Sequence, residues 1–404
     1  MAPGRTLADT RPKDVPFADC YITPESIAEA SRVLASGWVT TGREVAAFEE
    51  EFASAVGAAH AVAVSSCTHA LELALTTLEL APGAKVLVSS VTFCGAVHAI
   101  RHAGLQPVLV DVDPVTALQT PELTARAVAD CGGVAAMMVV HLAGAPCDVP
   151  ALASAAGLPL SHVVEDAAHA LGTYVHGRPV GSQSGATCFS FYATKNLPIG
   201  EGGMVVTEDA DRADALRRTR LHGMSADAWR RYLPGGSWRY DVTHRGLKAN
   251  MTDVQAAIGR VQLRHFDHWQ QRRADLAAHY DDRLADVTGI ATPARPSQPD
   301  DRHAWHLYAI RVRPVGRVSR DDVIACLAAK GIGTSVHFIP IHRLSYFHDL
   351  VERPRSGLGG ADSVFPQLLS LPLYPRLSHD QVDDVCDVLI DSIGAEGNRR
   401  TYPR

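Results

Sequence analysis

From about residue 45 to residue 260 the chain alternates short apolar runs with segments whose apolar positions recur at helical spacing. The runs at 61–64, 85–89, 107–112, 134–141, 162–165, 187–191 and 204–207 are rich in Val, Ala and Met, and several are bounded by Gly or Pro, so they are predicted strands. Between them, 68–79, 94–103, 121–129, 150–156 and 210–220 are predicted helices. Strands that are apolar on both faces and alternate with helices belong in a mostly parallel sheet covered by helices on each side. The pattern therefore predicts an α/β large unit. After the long amphipathic stretch 252–285 and the Pro-rich segment 292–299 the pattern changes. A strand at 305–313, a helix at 319–330 with Ser319 as its N-cap, a strand at 334–338 and a closing helix at 379–393 predict a smaller C-terminal α+β unit. The boundary falls between 265 and 290, and the division is taken as 1–265 and 266–404.

Composition narrows the function classes. Of the 404 residues 46% are apolar and 20% charged, which is ordinary for a chain with a large core. Lys plus Arg number 38 against 44 Asp plus Glu, a net charge of 38 − 44 = −6, so neither nucleic acid nor an anionic membrane is an expected partner. No run approaches 18 apolar residues, and the first 14 residues contain Pro, Arg and Asp without an apolar export core, so a cytoplasmic protein is expected. The eight cysteines include no C-x-x-C pair, which reads as reduced thiols, and no metal site is expected.

In open α/β sheets ligands bind beyond the carboxyl ends of the strands, and four such positions carry chemistry. After the first run, Ser65, Ser66, Cys67, Thr68 and His69 lead into a helix whose free N–H groups and hydroxyls suit a phosphate, although the same residues would serve as a plain cap. The run at 162–165 ends on Glu165 and Asp166, with His169 three residues on. A carboxylate there can hold a proton on a heteroaromatic nitrogen, or simply cap a turn. Lys195 follows Ser190, Phe191 and Tyr192 and precedes the Gly-rich bend 200–203. Only five of the 38 basic residues are lysines, so this one is less easily read as solvated surface. Phe93 follows the run at 85–89 and could lie flat on a planar ligand or belong to the core. A phosphate cradle, a carboxylate, a stacking aromatic and a desolvated lysine together are what pyridoxal 5′-phosphate requires.

The strings S-S-C-T-H-A-L, V-E-D-A-A-H-A-L-G-T, F-S-F-Y-A-T-K-N with G-E-G-G, and N-M-T-D-V-Q-A-A-I-G occur in this order. Together they make the chain resemble the DegT/DnrJ/StrS family of sugar aminotransferases, within the fold-type-I pyridoxal-phosphate enzymes. The resemblance runs from Ser36 to Phe338, and the strings 303–307 and 246–253 are most similar to the branch that makes a 4-amino-4-deoxy pentose nucleotide.

The resemblance implies a seven-stranded, mostly parallel sheet in the large domain. It makes Lys195 the Schiff-base lysine and Asp166 the partner of the pyridine nitrogen. Phe93 takes the stacking position, His169 lies beneath or beside the ring, and Thr68, the His69 backbone and Ser190 hold the phosphate. Asn250 resembles a residue that reaches the phosphate from the other subunit, with Lys248 as its competitor, which makes a homodimer with shared active sites part of the expectation. Trp38, Thr40, Tyr192 and His337 match segments that face the substrate. The implied reaction is transfer of an amino group from an amino-acid donor, glutamate, to a nucleotide-linked keto-sugar, at C4 or, alternatively, on a 3-keto-sugar or an aminocyclitol. Sugar 3-dehydratases of the family carry His in place of the lysine, so Lys195 argues against them. A non-catalytic pyridoxal-phosphate sensor would need a DNA- or partner-binding appendage, and no basic helix-turn-helix segment is evident.

Overall fold

The computed structural model describes residues 14–181, 183–225, 239–296, 298–313 and 318–398. The large sheet consists of β1 (His60–Val64), β2 (Lys85–Ser89), β3 (Gln106–Val110), β4 (Ala136–Val140) and β5 (Val163–Asp166), followed, after a short hairpin of β6 (Tyr174–Val175) and β7 (Arg178–Pro179), by β8 (Ala186–Ser190) and β9 (Gly203–Thr207). Its order is β1-β9-β8-β5-β4-β2-β3. β9 runs antiparallel to both of its neighbours, and every other pair is parallel. The apolar runs are explained by burial on two sides. Val86 and Val88 pack with Leu73 and Ile100, whereas Leu87 between them packs with Val108, Met137 and Leu152 on the opposite face.

The sheet is flanked by α3 (Cys67–Thr76), α4 (Cys94–His102), α5 (Pro121–Cys131), α6 (Val149–Ala156) and α7 (Ala210–Thr219). Two helices ahead of the alternating region, α1 (Pro24–Ala35) and α2 (Arg43–Val56), pack on the 32-residue α8 (Asp253–Leu284). Thr252 starts α8 with a capping box closed by Gln255. The first part of α8 joins the core under β1 and β9 through Ala256 and Phe266, and its last turns join the C-terminal core through Leu276, Tyr280 and Leu284.

The C-terminal part holds an antiparallel sheet of β10 (Ile290–Ala291), β11 (Tyr308–Val312) and β12 (Leu368–Leu371), with α9 (Arg320–Ala329), α10 (Gly359–Val364) and α11 (His379–Asn398). Ser319 caps α9 as its sequence predicts, accepting from Asp322 N–H at 3.2 Å. The expected strand at 334–338 does not form. β11 pairs with one edge of β12, but on the other edge only Ser335 bridges to Ser370. Beyond it the chain turns so that His337 pairs with the Ser370 hydroxyl at 2.9 Å and lines a cavity. β11 also begins three residues later than expected. The segment before it is bound to another loop, since Ala304 N–H donates to Gly144 C=O (2.9 Å) and His306 and Leu307 N–H to Ala143 C=O (3.1 and 3.2 Å).

Candidate active site

The carboxyl ends of the parallel strands open into a cavity of about 490 Å³. One wall is built by the strand ends. β1 turns into α3 at Ser66, whose Oγ accepts the His69 N–H at 3.2 Å, while Cys67 and Thr68 at the helix start line the cavity. This close turn needs Gly203 opposite it on β9. A Cβ there would stand 2.6 Å from the Ser66 carbonyl carbon and 2.7 Å from Cys67 N.

β5 delivers two buried carboxylates to opposite faces, because successive strand side chains alternate. Asp166 lines the cavity, and its Oδ1 accepts the Ala168 N–H at 3.1 Å. Burial raises its carboxyl above the usual range, against the pull of the Ala168 N–H and the nearby Lys195. Glu165 points away into the protein, where His141 Nε2 lies at 2.7 Å and Thr187 Oγ1 donates at 2.9 Å. Cys147 N–H donates to His141 Nδ1 at 3.3 Å, so the ring proton sits on Nε2, facing Glu165. Burial works against ionisation of Glu165, but these donors hold its carboxyl below the ordinary value.

β8 ends at Ser190, and the bend after it places Lys195 in the cavity. Burial pushes the Lys195 amine down to about 8, opposed by Cys67 and Asp166. Among the described residues the amine has no hydrogen-bond or ion-pair partner. Phe93 stands at the start of α4 and lines the cavity, 57% exposed, with its ring 5.8 Å from that of Phe338. His169 is buried there too; its ring stacks on Phe338 at 5.9 Å, and its Nδ1 accepts the Ala143 N–H at 3.2 Å. Burial and the Lys195 charge keep this imidazole well below its ordinary pKa.

The structure therefore brings Thr68, Phe93, Asp166, His169, Ser190, Tyr192, Lys195 and His337 to one cavity. Burial, with Lys195 nearby, pushes His337 down to about 4. Other expected site residues lie elsewhere. The His69 backbone N–H, the expected phosphate donor, is taken by Ser66 Oγ at 3.2 Å, and His69 lies outside the lining. Asn250 donates to Thr41 Oγ1 and accepts from Lys248 Nζ, each at 2.6 Å, so the two rivals for one role are bonded to each other. Trp38 Nε1 donates to Thr41 C=O at 3.2 Å, and Thr40 is exposed. These residues form a cluster of their own beside β1, where Asn250 bridges to Val64. Sequence reasoning missed His141 behind Asp166, and His306 with Leu307 on the second wall. The available signal for His306 was the string His303–Leu307, which carried only a resemblance.

The residues present fit pyridoxal phosphate. A buried carboxylate with no ion-pair partner among the described residues faces the cavity and suits a protonated ring nitrogen. A desolvated lysine lies close enough to Asp166 for each to shift the other's titration. Ser66, Thr68 and Ser190 put hydroxyls around the start of a ten-residue helix, as a phosphate needs. Among the described residues no group of three or more His, Cys, Asp or Glu side chains could hold a metal ion. Among them, too, no helix is long and apolar enough to cross a membrane.

Comparison with known proteins agrees with this geometry. The profile of the DegT/DnrJ/EryC1/StrS aminotransferase family matches residues 21–390. The chain belongs to this family. It is 42% identical to the spore coat polysaccharide biosynthesis protein SpsC of Bacillus subtilis over 381 residues, which is 94% of this chain and 97% of SpsC. The solved structure of DesV from S. venezuelae, in complex with ketimine intermediate, superposes with a TM-score of 0.82 at 35% identity, covering 94% of this chain and 98% of that one. The PLP form of Spr1654 from Streptococcus pneumoniae superposes with a TM-score of 0.84 at 30% identity, covering 95% and 99%. The protein is thus a pyridoxal-phosphate-dependent sugar aminotransferase of fold type I.

Proposed function

We propose that this aminotransferase moves an amino group from glutamate to C4 of a nucleotide-linked keto-sugar, in the cytoplasm and as a homodimer with shared active sites. The observation that carries the reading is that Lys195 and Asp166, neither with an ion-pair partner among the described residues, line one cavity and shift each other's titration. Descent from the same family as SpsC, a polysaccharide biosynthesis protein, supports a sugar as acceptor.

Pyridoxal phosphate supplies an aldehyde that captures amines and a ring that accepts electrons. Ser66, Thr68 and Ser190 would hold its phosphate, Asp166 its ring nitrogen and Phe93 a ring face, and His169 would lie beneath or beside the ring. Lys195 would hold the aldehyde through Nζ, and with Nζ free it would serve as the base that takes the proton from the donor's Cα. An amine held near 8 is partly neutral at physiological pH, as a base must be. Asp166, kept from water, stabilises positive charge opposite it more strongly than a solvated carboxylate could. Asn250 and its neighbours would serve the partner's site rather than their own. The core around β11, β12 and α11 supports a division into units 1–265 and 266–404, with α8 shared between them, while Ile341, Phe347, Val351 and Leu358 pack into the core of the large sheet.

The test is a panel of nucleotide-linked 3-keto and 4-keto sugars incubated with glutamate and the holoenzyme, with amino-sugar product read by mass spectrometry. The 4-keto sugars are expected to be aminated. Amination of the 3-keto sugars alone overturns the C4 assignment.

A further inference from the structure

A hydrogen-bond chain beside the catalytic lysine has no part in the chemistry so far. The Ala304 carbonyl can only accept, and it receives both Asn196 Nδ2 at 2.8 Å and Gln270 Nε2 at 2.7 Å. Asn196 Nδ2 also donates to Gln270 Oε1 at 3.2 Å. Both amide orientations are thereby set, and Asn196 presents Oδ1 to His306 Nδ1 at 3.0 Å. Nδ1 of His306 must carry the proton, so Nε2 is an acceptor. His169, whose ring centroid is 4.4 Å away, is set the opposite way, because Ala143 N–H occupies its Nδ1 and leaves Nε2–H as donor. Both histidines are buried, both line the cavity, and neither Nε2 has a partner among the described residues.

The backbone maintains this arrangement at a conformational cost. Ala143 (φ 62°) and Trp305 (φ 47°) both occupy the left-handed region that disfavours residues with a Cβ. Gly144 lies between the two segments, where a Cβ would meet His169 C=O at 2.7 Å and the Ala304 Cβ at 2.9 Å. Burial, with the positive charge of Lys195 and Arg273 nearby, keeps the His306 ring neutral.

We propose that His306 Nε2 is a specificity-determining acceptor for a hydroxyl of the sugar on a carbon next to the reacting carbonyl. The inference rests on the reading that the acceptor substrate is a keto-sugar. A neutral, acceptor-only nitrogen cannot bind a carboxylate, so it does not serve the acidic groups of the amino donor. A vicinal hydroxyl fits, since it can donate to His306 Nε2 while the adjacent oxygen accepts from His169 Nε2–H. A buried acceptor left without a donor penalises a substrate that lacks the hydroxyl.

The experiment compares kcat/KM of the holoenzyme for a keto-sugar nucleotide that carries the vicinal hydroxyl and for its deoxy analogue. It is run on wild type, His306→Phe and His306→Gln. Wild type is expected to favour the hydroxylated sugar by at least about tenfold. His306→Phe should bring the ratio close to one, and His306→Gln, whose amide oxygen can replace Nε2, should restore part of it. Taking a ratio within each variant cancels general damage to the fold. Wild-type turnover without preference, or a preference that persists in His306→Phe, overturns the inference alone. Failure of the wild type to aminate any keto-sugar overturns the functional reading and this inference with it.

Discussion

At the scale of single residues, burial sets the chemistry. Lys195 titrates near 8 rather than 10.5 because its ammonium form is desolvated. The neutral amine captures an aldehyde, and a lowered pKa means that this form predominates above about pH 8. Capture of pyridoxal phosphate by the cofactor-free protein should therefore quicken from pH 6.5 and level off just above 8, followed by the growth of visible absorbance. A profile still rising at pH 10 would contradict the burial argument. Borohydride treatment should fix the cofactor on the peptide containing Lys195 and not on those of Lys85, Lys248 or Lys330. Asp166→Asn removes the charge proposed to face the ring nitrogen, and turnover should fall roughly 10²-fold, about 3 kcal/mol, with the fold retained. Glu165, its neighbour in sequence, has a different task. Glu165→Leu strands the buried His141 Nε2–H and Thr187 hydroxyl, so it should cost about 1–3 kcal/mol in thermal or denaturant unfolding.

At the scale of elements, the site depends on how closely strand and helix ends approach each other. Gly203 on β9 touches the first turn of α3, and Gly203→Ala would push the helix start away from the cavity. An overpacked contact of this kind typically costs about 1–3 kcal/mol. The expected result is a lower melting temperature together with at least tenfold weaker retention of pyridoxal phosphate, measured by fluorescence titration of the cofactor-free variant. An unchanged cofactor affinity would place the phosphate away from the start of α3. The strands themselves were legible in sequence because burial on two faces leaves a continuous apolar run. The segment 334–338, in which only Val336 and Phe338 are apolar, has no such continuous run and fails as a strand. β12 offers it a single bridging position, and a partner edge is not written into the segment's own residues.

At the scale of the whole molecule, the cluster of Trp38, Thr41, Lys248 and Asn250 lies outside the cavity that its own chain builds. If it completes the partner's site, then Lys195→Ala and Asn250→Ala proteins, each inactive alone, should regain activity when their subunits exchange. Half of a random mixture is heterodimer, and each heterodimer has one intact site, so recovery should approach about a quarter of the wild-type rate. Verified exchange without recovery, or a fully active monomer in sedimentation, would show that each chain completes its own site.

By itself the sequence determined the α/β alternation, the carboxyl-end positions of Asp166 and Lys195, and the family's spaced motifs. Each of these is local, since apolar periodicity and the residues that end a run are adjacent in the chain. Tertiary structure decided what depends on pairs distant in sequence. His306 meets Asn196 across 110 residues, and only that contact makes its Nε2 an acceptor. Glu165 and Asp166 look alike in sequence, but one faces His141 inside the protein and the other the cavity, because the pleat and the neighbouring strands assign them opposite faces. The direction in which a side chain points and the partner that sets its proton are properties of packing, which no local pattern encodes.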